Sequence, residues 1–148
     1  MKVLLALLAT LLLATCAQPP PLLERILADG ELRVVTRNSP DAYYLGSHGP
    51  EGPAYELASQ FAEHLGVPLR LYTVRTREAA IEEVAAGRAH LAAAGLSTGV
   101  ELPDTVQFGP GYQPVREHLI YRRRTERPAT IQEAARGQIE VAVGSAHQ

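Results

Sequence analysis

Leu91-Ala-Ala-Ala-Gly-Leu-Ser-Thr-Gly-Val-Glu-Leu-Pro-Asp-Thr-Val-Gln-Phe-Gly-Pro-Gly-Tyr112 decides how this chain is read. An apolar run stops at Gly95 and gives way to small hydroxylated residues, Ser97 and Thr98. A second short strand, Val106 to Phe108, is predicted to run into the aromatic turn that ends at Tyr112. A buried strand that releases exposed backbone and hydroxyls at its carboxyl end is how an open α/β sheet presents a ligand. No residue of the segment reads as a catalytic nucleophile, so the pattern points to binding.

Upstream of this segment the elements alternate. Leu22 to Ala28 reads as a short amphipathic helix closed by Asp29-Gly30, and Leu32 to Thr36 as a β-rich strand. Arg37 to Pro53 is polar, punctuated by glycine and proline, and carries Tyr43 and Tyr44, so it is a loop or hairpin. Tyr55 to Leu65 has apolar residues at 57, 58, 61, 62 and 65, a helical period that Gly66 ends. Leu69 to Val74 is a strand. Thr76 to Ala86 is a helix, capped by Thr76 and stopped by Gly87, and it leads into the buried strand Leu91 to Ala94. Downstream, His118 to Arg122 reads as a strand, Ile131 to Ala135 as a helix and Ile139 to Val143 as an apolar strand. Strands alternating with helices imply an α/β fold whose mostly parallel sheet is covered on both faces.

The N-terminus addresses the chain. Met1-Lys2 is followed by an apolar run from Val3 to Ala14. That run falls short of the roughly 20 residues a bilayer span needs and fits a secretory signal. The single cysteine, Cys16, closes Leu13-Ala-Thr-Cys16, which resembles a lipobox whose cysteine becomes a lipidated first residue. Thr15 departs from the small residue usual there, so ordinary signal cleavage near Ala17 is the alternative. A lone cysteine makes no internal disulfide, and tethering explains it better than redox chemistry. Residues 1–16 are thus expected to be a lipoprotein-type signal, with Gln18 favouring the outer membrane and residues 17–21, ending in three prolines, forming a stiff spacer.

With a net charge of −2, the chain has no basic face for nucleic acid. The arginines at 122, 123, 124 and 127 are read as a solvated strand end. Five scattered histidines lack metal-ligand spacing, so no metal is expected, and no phosphate loop or nucleophile elbow implies a cofactor or acyl chemistry. Glu82 and Glu83 are neighbours on a helix and cannot converge on one bond, while Glu56 belongs to an exposed helical turn.

Several stretches carry a family resemblance. Leu23 to Thr36, Tyr55-Glu-Leu-Ala58, the Phe61 to Val67 helix end, Ala93-Ala-Gly-Leu96 and Phe108-Gly-Pro-Gly-Tyr112 resemble family 3 bacterial solute-binding domains. Arg37-Asn-Ser-Pro40 with Tyr43-Tyr44, and Leu119-Ile-Tyr-Arg-Arg123, are similar to one branch. That branch forms the N-terminal domain of membrane-bound lytic murein transglycosylases of the F type. The similarity covers residues 22 to 147. It implies a type II periplasmic binding protein-like fold, a two-lobed clamp that closes on a small molecule.

On that resemblance, residues 30 to about 117 form the first lobe, 118–124 the crossing strand, and 139–148 the start of the second lobe. The domain 22–148 is then partial and C-terminally truncated. Full-length relatives of the branch continue into a lysozyme-like domain with a catalytic glutamate, and no residue here replaces it. The chain is read as a binding domain for a small molecule or muropeptide, associated with peptidoglycan and tethered to the membrane through Cys16. The alternatives are the N-terminal fragment of a complete lytic transglycosylase and the receptor of an amino-acid ABC importer.

The candidate ligand-binding residues are Tyr43, Tyr44, Gly95, Ser97, Thr98 and Tyr112, with Ser145 and His147 contributed by the second lobe. Two departures bear on the ligand. The resemblance places a carboxylate-gripping arginine where Leu102 stands, and an aspartate where His90 stands. Losing the arginine removes charge-assisted hydrogen bonds of roughly 1.5–3 kcal/mol each, which counts against free amino acids and favours a peptide or no ligand.

Overall fold

The computed structural model describes residues 20–116, 118–141 and 147. Cys16, the start of the proline spacer, Ser145 and the end of the expected last strand lie outside these residues.

Helix α1 (Leu22–Asp29) ends at Gly30, whose left-handed backbone turns its N–H back to the Ile26 carbonyl at 3.1 Å. Strand β1 (Leu32–Arg37) follows. The polar stretch after it folds into a hairpin of β2 (Tyr44–Gly46) and β3 (Gly49–Glu51), with Tyr44 opposite Glu51. Helix α2 (Pro53–Leu65) begins with a proline, which needs no N–H there, and stops at Gly66. Strand β4 (Leu69–Val74) leads to helix α3 (Arg77–Ala85), capped by Thr76, whose hydroxyl accepts from the Ala79 N–H at 3.1 Å. Strand β5 (Leu91–Ala92) and helix α4 (Ile131–Ala134), capped by Thr130, complete the order.

The three long-range strands form one parallel sheet in the order β4-β1-β5. The β1–β4 register runs from Leu32 opposite Leu69 to Arg37 opposite Val74, and Val34 and Val35 face Leu91 and Ala92. Strand periodicity sends alternate β1 side chains to opposite faces. Leu32 and Val34 pack with Ile26, Ala58 and Ala62, beneath α1 and α2. Val35 packs with Ala80, Ala89 and Ala94, on the α3 side. Both faces are covered, as the alternation of strands and helices required. Burying each large aliphatic side chain contributes about 1.5–3 kcal/mol, and the alanines let the helices approach β1 closely.

Three expected strands do not form among the described residues. Residues 106–108, 118–122 and 139–141 pair with no strand among the described residues. Among the described residues their apolar side chains meet no partner strand, and Ile120 is 91% exposed. A strand is a tertiary object: the β-rich composition of His118–Arg122 supplies only half of a ladder. The expected Leu91–Ala94 strand is also shorter, because the ladder ends at Ala92 and Ala93 adds one further bond, to the Val35 carbonyl.

Candidate functional site

The connection from β1 passes through α2 to β4 on one side, and the next crossover returns through α3 to β5 on the other. Strand order therefore reverses between β1 and β5. In open α/β sheets the crevice outside the carboxyl ends of such strands receives ligands. Here those ends are Arg37-Asn38-Ser39 and Ala93-Ala94-Gly95.

Three consecutive carbonyls at the end of β5 are held by side chains. Thr36 Oγ1, on a fully buried residue, donates to the Ala93 carbonyl at 2.6 Å. Arg37 Nε donates to Ala94 at 3.1 Å, and Arg77 Nε, from the first turn of α3, donates to Gly95 at 3.1 Å. Gly95 sits at φ +65°, and a Cβ there would lie 3.0 Å from Asp41 Oδ2. The carboxylate of Asp41 closes the cluster, 3.9 Å from Arg37 Nη2.

Asp41 is held below the usual carboxylate range, chiefly by the Ser39 side chain, then by its own backbone amide and by Arg37 and Arg77, against the opposing effect of partial burial. The Ser39 hydroxyl oxygen is itself buried, and it completes a hydrogen bond of full geometry with no partner among the described residues. Its proximity to Asp41 is thus electrostatically favourable but poorly aligned. The loop between them is pinned by Ser39 N–H to the Tyr43 carbonyl at 2.8 Å and Tyr43 N–H to the Ser39 carbonyl at 3.0 Å.

The sequence-derived candidates divide. Tyr43 is half-buried beside the strand ends, its ring edge-on to Tyr55 at 6.1 Å. Gly95 is within the cluster, and Ser97, half-buried, and Thr98, exposed, follow directly on the chain. Tyr44 belongs to the hairpin, where its hydroxyl meets Glu51 and is pushed up in pKa by that carboxylate. Tyr112 stands apart: it lines a shallow depression of about 330 Å³ with Pro53, Glu56, Leu57, Gln60 and Gln113, on the outer side of α2. No residue from the end of β5 lines that depression. His147 is exposed in a turn. Glu83 is engaged with the Tyr72 hydroxyl at 2.7 Å and Arg88 at 2.8 Å. Among the described residues, no three His, Cys, Asp or Glu side chains gather as a metal-ligand set, and no helix is long and apolar enough to cross a membrane.

Residues 32–145 match the family described as bacterial extracellular solute-binding proteins, family 3. The chain belongs to this family. Its fold is therefore the type II periplasmic binding protein-like α/β fold that the parallel sheet and two-sided helix cover exhibit.

Relatives of this family 3 domain include membrane-bound lytic murein transglycosylase F of Pseudomonas fluorescens, 38% identical over 93% of this chain and 28% of its own length. Membrane-bound lytic murein transglycosylase F 1 of Alkalilimnicola ehrlichii is 39% identical over 88% of this chain and 26% of its own. The chain thus spans between a quarter and a third of the length of these curated relatives. Among solved structures, an arginine-bound mutant of ArgBP from T. maritima aligns with TM-score 0.45 and 21% identity over half of this chain and 35% of its own. EhuB in complex with hydroxyectoine aligns with TM-score 0.41 and 29% identity, over half of this chain and 29% of its own.

Sequence reasoning missed Arg37, Asp41 and Arg77 as residues of this family 3 domain's strand-end cluster. One signal was available. Arginine in the first turn of a helix opposes the helix dipole, and the Arg77 guanidinium there donates to the Gly95 carbonyl.

Proposed function

We propose that this chain is the ligand-capturing part of an exported solute-binding domain. In this reading it binds a small molecule or a peptidoglycan-derived peptide and acts as the regulatory N-terminal region of a membrane-bound lytic murein transglycosylase. The observation that carries it is the strand-order reversal between β1 and β5, where side chains fix the Ala93, Ala94 and Gly95 carbonyls and set the path of Ser97 and Thr98. Identity of 38–39% to transglycosylase F proteins supports the choice of branch. Residues 30 to about 117 are assigned to the first lobe, 118–124 to the crossing segment and 139–148 to the start of the second. Ser145 and His147 would then approach the ligand from the far side as the lobes close about the hinge.

The proposed location is the periplasm, with Cys16 lipidated and the chain held at the outer membrane near peptidoglycan. Cleavage of glycan belongs, in this reading, to a separate catalytic domain of the longer relatives. Calorimetry with muropeptides and with free amino acids tests the ligand class. Muropeptide binding that weakens in Ser97→Ala and Tyr43→Ala is expected. Tight binding of free amino acids would instead make the chain an importer-type receptor, and silence towards both would overturn solute capture. Labelling with a fatty-acid analogue, lost in Cys16→Ser, tests the anchor; release of an unlabelled soluble form would support ordinary signal cleavage.

A further inference from the structure

We propose that the outer face of α2, together with Tyr112 and Gln113, binds a neutral pyranose sugar at a site separate from the strand-end crevice. Pro53, Glu56, Leu57 and Gln60 stand at positions i, i+3, i+4 and i+7 of the helix, so they share one face. That face is the outward one, because Ala54, Ala58 and Ala62 are the buried residues of α2. Tyr112 and Gln113, which follow Gly109-Pro110-Gly111 in the chain, complete the lining of the depression of about 330 Å³. That volume falls at the lower end of the roughly 300–1,000 Å³ of small-molecule sites.

The lining decides the ligand. Tyr112 is 60% exposed and Leu57 45%, so an aromatic ring and an aliphatic side chain are left in water within one depression. An occupant with an apolar face gains by covering them. The Glu56 carboxylate and the Gln60 and Gln113 amides share the same lining. Among the described residues none of these three groups, nor the Tyr112 hydroxyl, is spent on a hydrogen bond within the protein. An amide both donates and accepts and a carboxylate accepts, which suits hydroxyl groups that do both. A pyranose ring carries the two features together. Its C–H face meets the negative π-face of the tyrosine, and its rim of hydroxyls meets the carboxylate and amides. Other classes fit less well. No arginine, lysine or histidine lines the depression, so a phosphate or carboxylate would meet only Glu56, a charge of its own sign. A wholly apolar ligand would cover three polar groups without giving them partners.

Amide NMR titration of the full chain tests the site, with cellotriose and tri-N-acetylchitotriose as probes. At least one trimer is expected to give saturable shifts at Glu56, Leu57, Gln60, Tyr112 and Gln113, with Ser97 and Thr98 unmoved. Tyr112→Ala is expected to weaken that binding about tenfold. Tyr112→Phe should preserve it, since stacking needs the ring and not the hydroxyl. Gln60→Ala should weaken it severalfold through lost hydrogen bonds. Gln60 and Tyr112 are both exposed, so none of these substitutions opens the core. Absence of shifts with both trimers overturns the site, as do shifts confined to Ser97 and Thr98 or an affinity unchanged in Tyr112→Ala. A short proline-rich peptide that moves the same amides where neither sugar does would make this a peptide-docking face, and overturns it equally.

Discussion

The Arg33 backbone N–H donates to His90 Nδ1 at 3.1 Å, while the His90 backbone N–H donates to the Arg33 carbonyl at 2.9 Å. A backbone N–H can only donate, so Nδ1 accepts and the proton of the neutral ring sits on Nε2. Nε2 then donates to Asp29 Oδ2 at 3.0 Å. The imidazole acts as an extra rung just before β5 begins, and it ties the end of α1 to the sheet from a side chain that is 0% exposed.

His90→Ala should therefore destabilise the fold by about 2 kcal/mol, since it leaves a buried N–H without its acceptor and removes the link to Asp29. Urea unfolding reads the difference. A midpoint equal to that of the parent chain would show that the rung carries no net stability.

Acid should weaken the same corner. The His90 hydrogen bond, followed by that of Arg33, holds Asp29 below the usual carboxylate range, and Arg88 followed by Tyr72 does the same for Glu83. Groups with a depressed folded pKa contribute stability that is present above their unfolded values and lost as pH falls through the folded ones. Urea midpoints are expected to decline below about pH 5, and Asp29→Asn should flatten part of that decline. A decline of unchanged depth in the variant would exclude Asp29 as a source.

At the other extreme, burial first, then the hydrogen bond to Glu83, pushes the Tyr72 hydroxyl up to about 12. Here the folded value exceeds the ordinary 10.0, so the contribution is complete below that value and is lost as pH rises from 10.0 towards about 12. Stability measured at intervals across this range should fall in the parent chain and fall less in Tyr72→Phe. Parallel curves would contradict the assignment.

Gly95→Ala is predicted to cost about 1–2 kcal/mol for the left-handed backbone alone. The new methyl would also press on Asp41 Oδ2, 3.0 Å away. Adding Asp41→Ala should recover the steric part and leave the backbone part, a partition that a double-mutant cycle measures. Full recovery would mean that φ at residue 95 relaxes without cost.

What was legible in the sequence was what is encoded locally. Helix α2 reads from its apolar period and Gly66, although its first turn, from Pro53, lies in the stretch that the sequence reads as loop; α3 reads from the Thr76 cap; and β4 matches its expected bounds, set off by Gly66 and Pro68 before it and the Thr76 cap after it. Val106–Phe108 and His118–Arg122 failed because a ladder needs a partner that composition does not supply. In the site, the strand end at Gly95 and the hydroxyls of Ser97 and Thr98 were legible as a pattern. Arg37 and Arg77 were not, since one is a polar residue entering a loop and the other a polar residue opening a helix. Only the sheet, by bringing residues 37, 77 and 95 to one edge, gives them a common role.

Strand β5 has two ladder residues among the described residues, and from Ala93 onward the carbonyls that follow it are taken by Thr36, Arg37 and Arg77. It is an edge of the described sheet, and long unpaired edges recruit strands from other chains. A two-residue edge offers a foreign strand almost no template. Side-chain capture of the strand end thus leaves little free backbone there for intermolecular β-pairing.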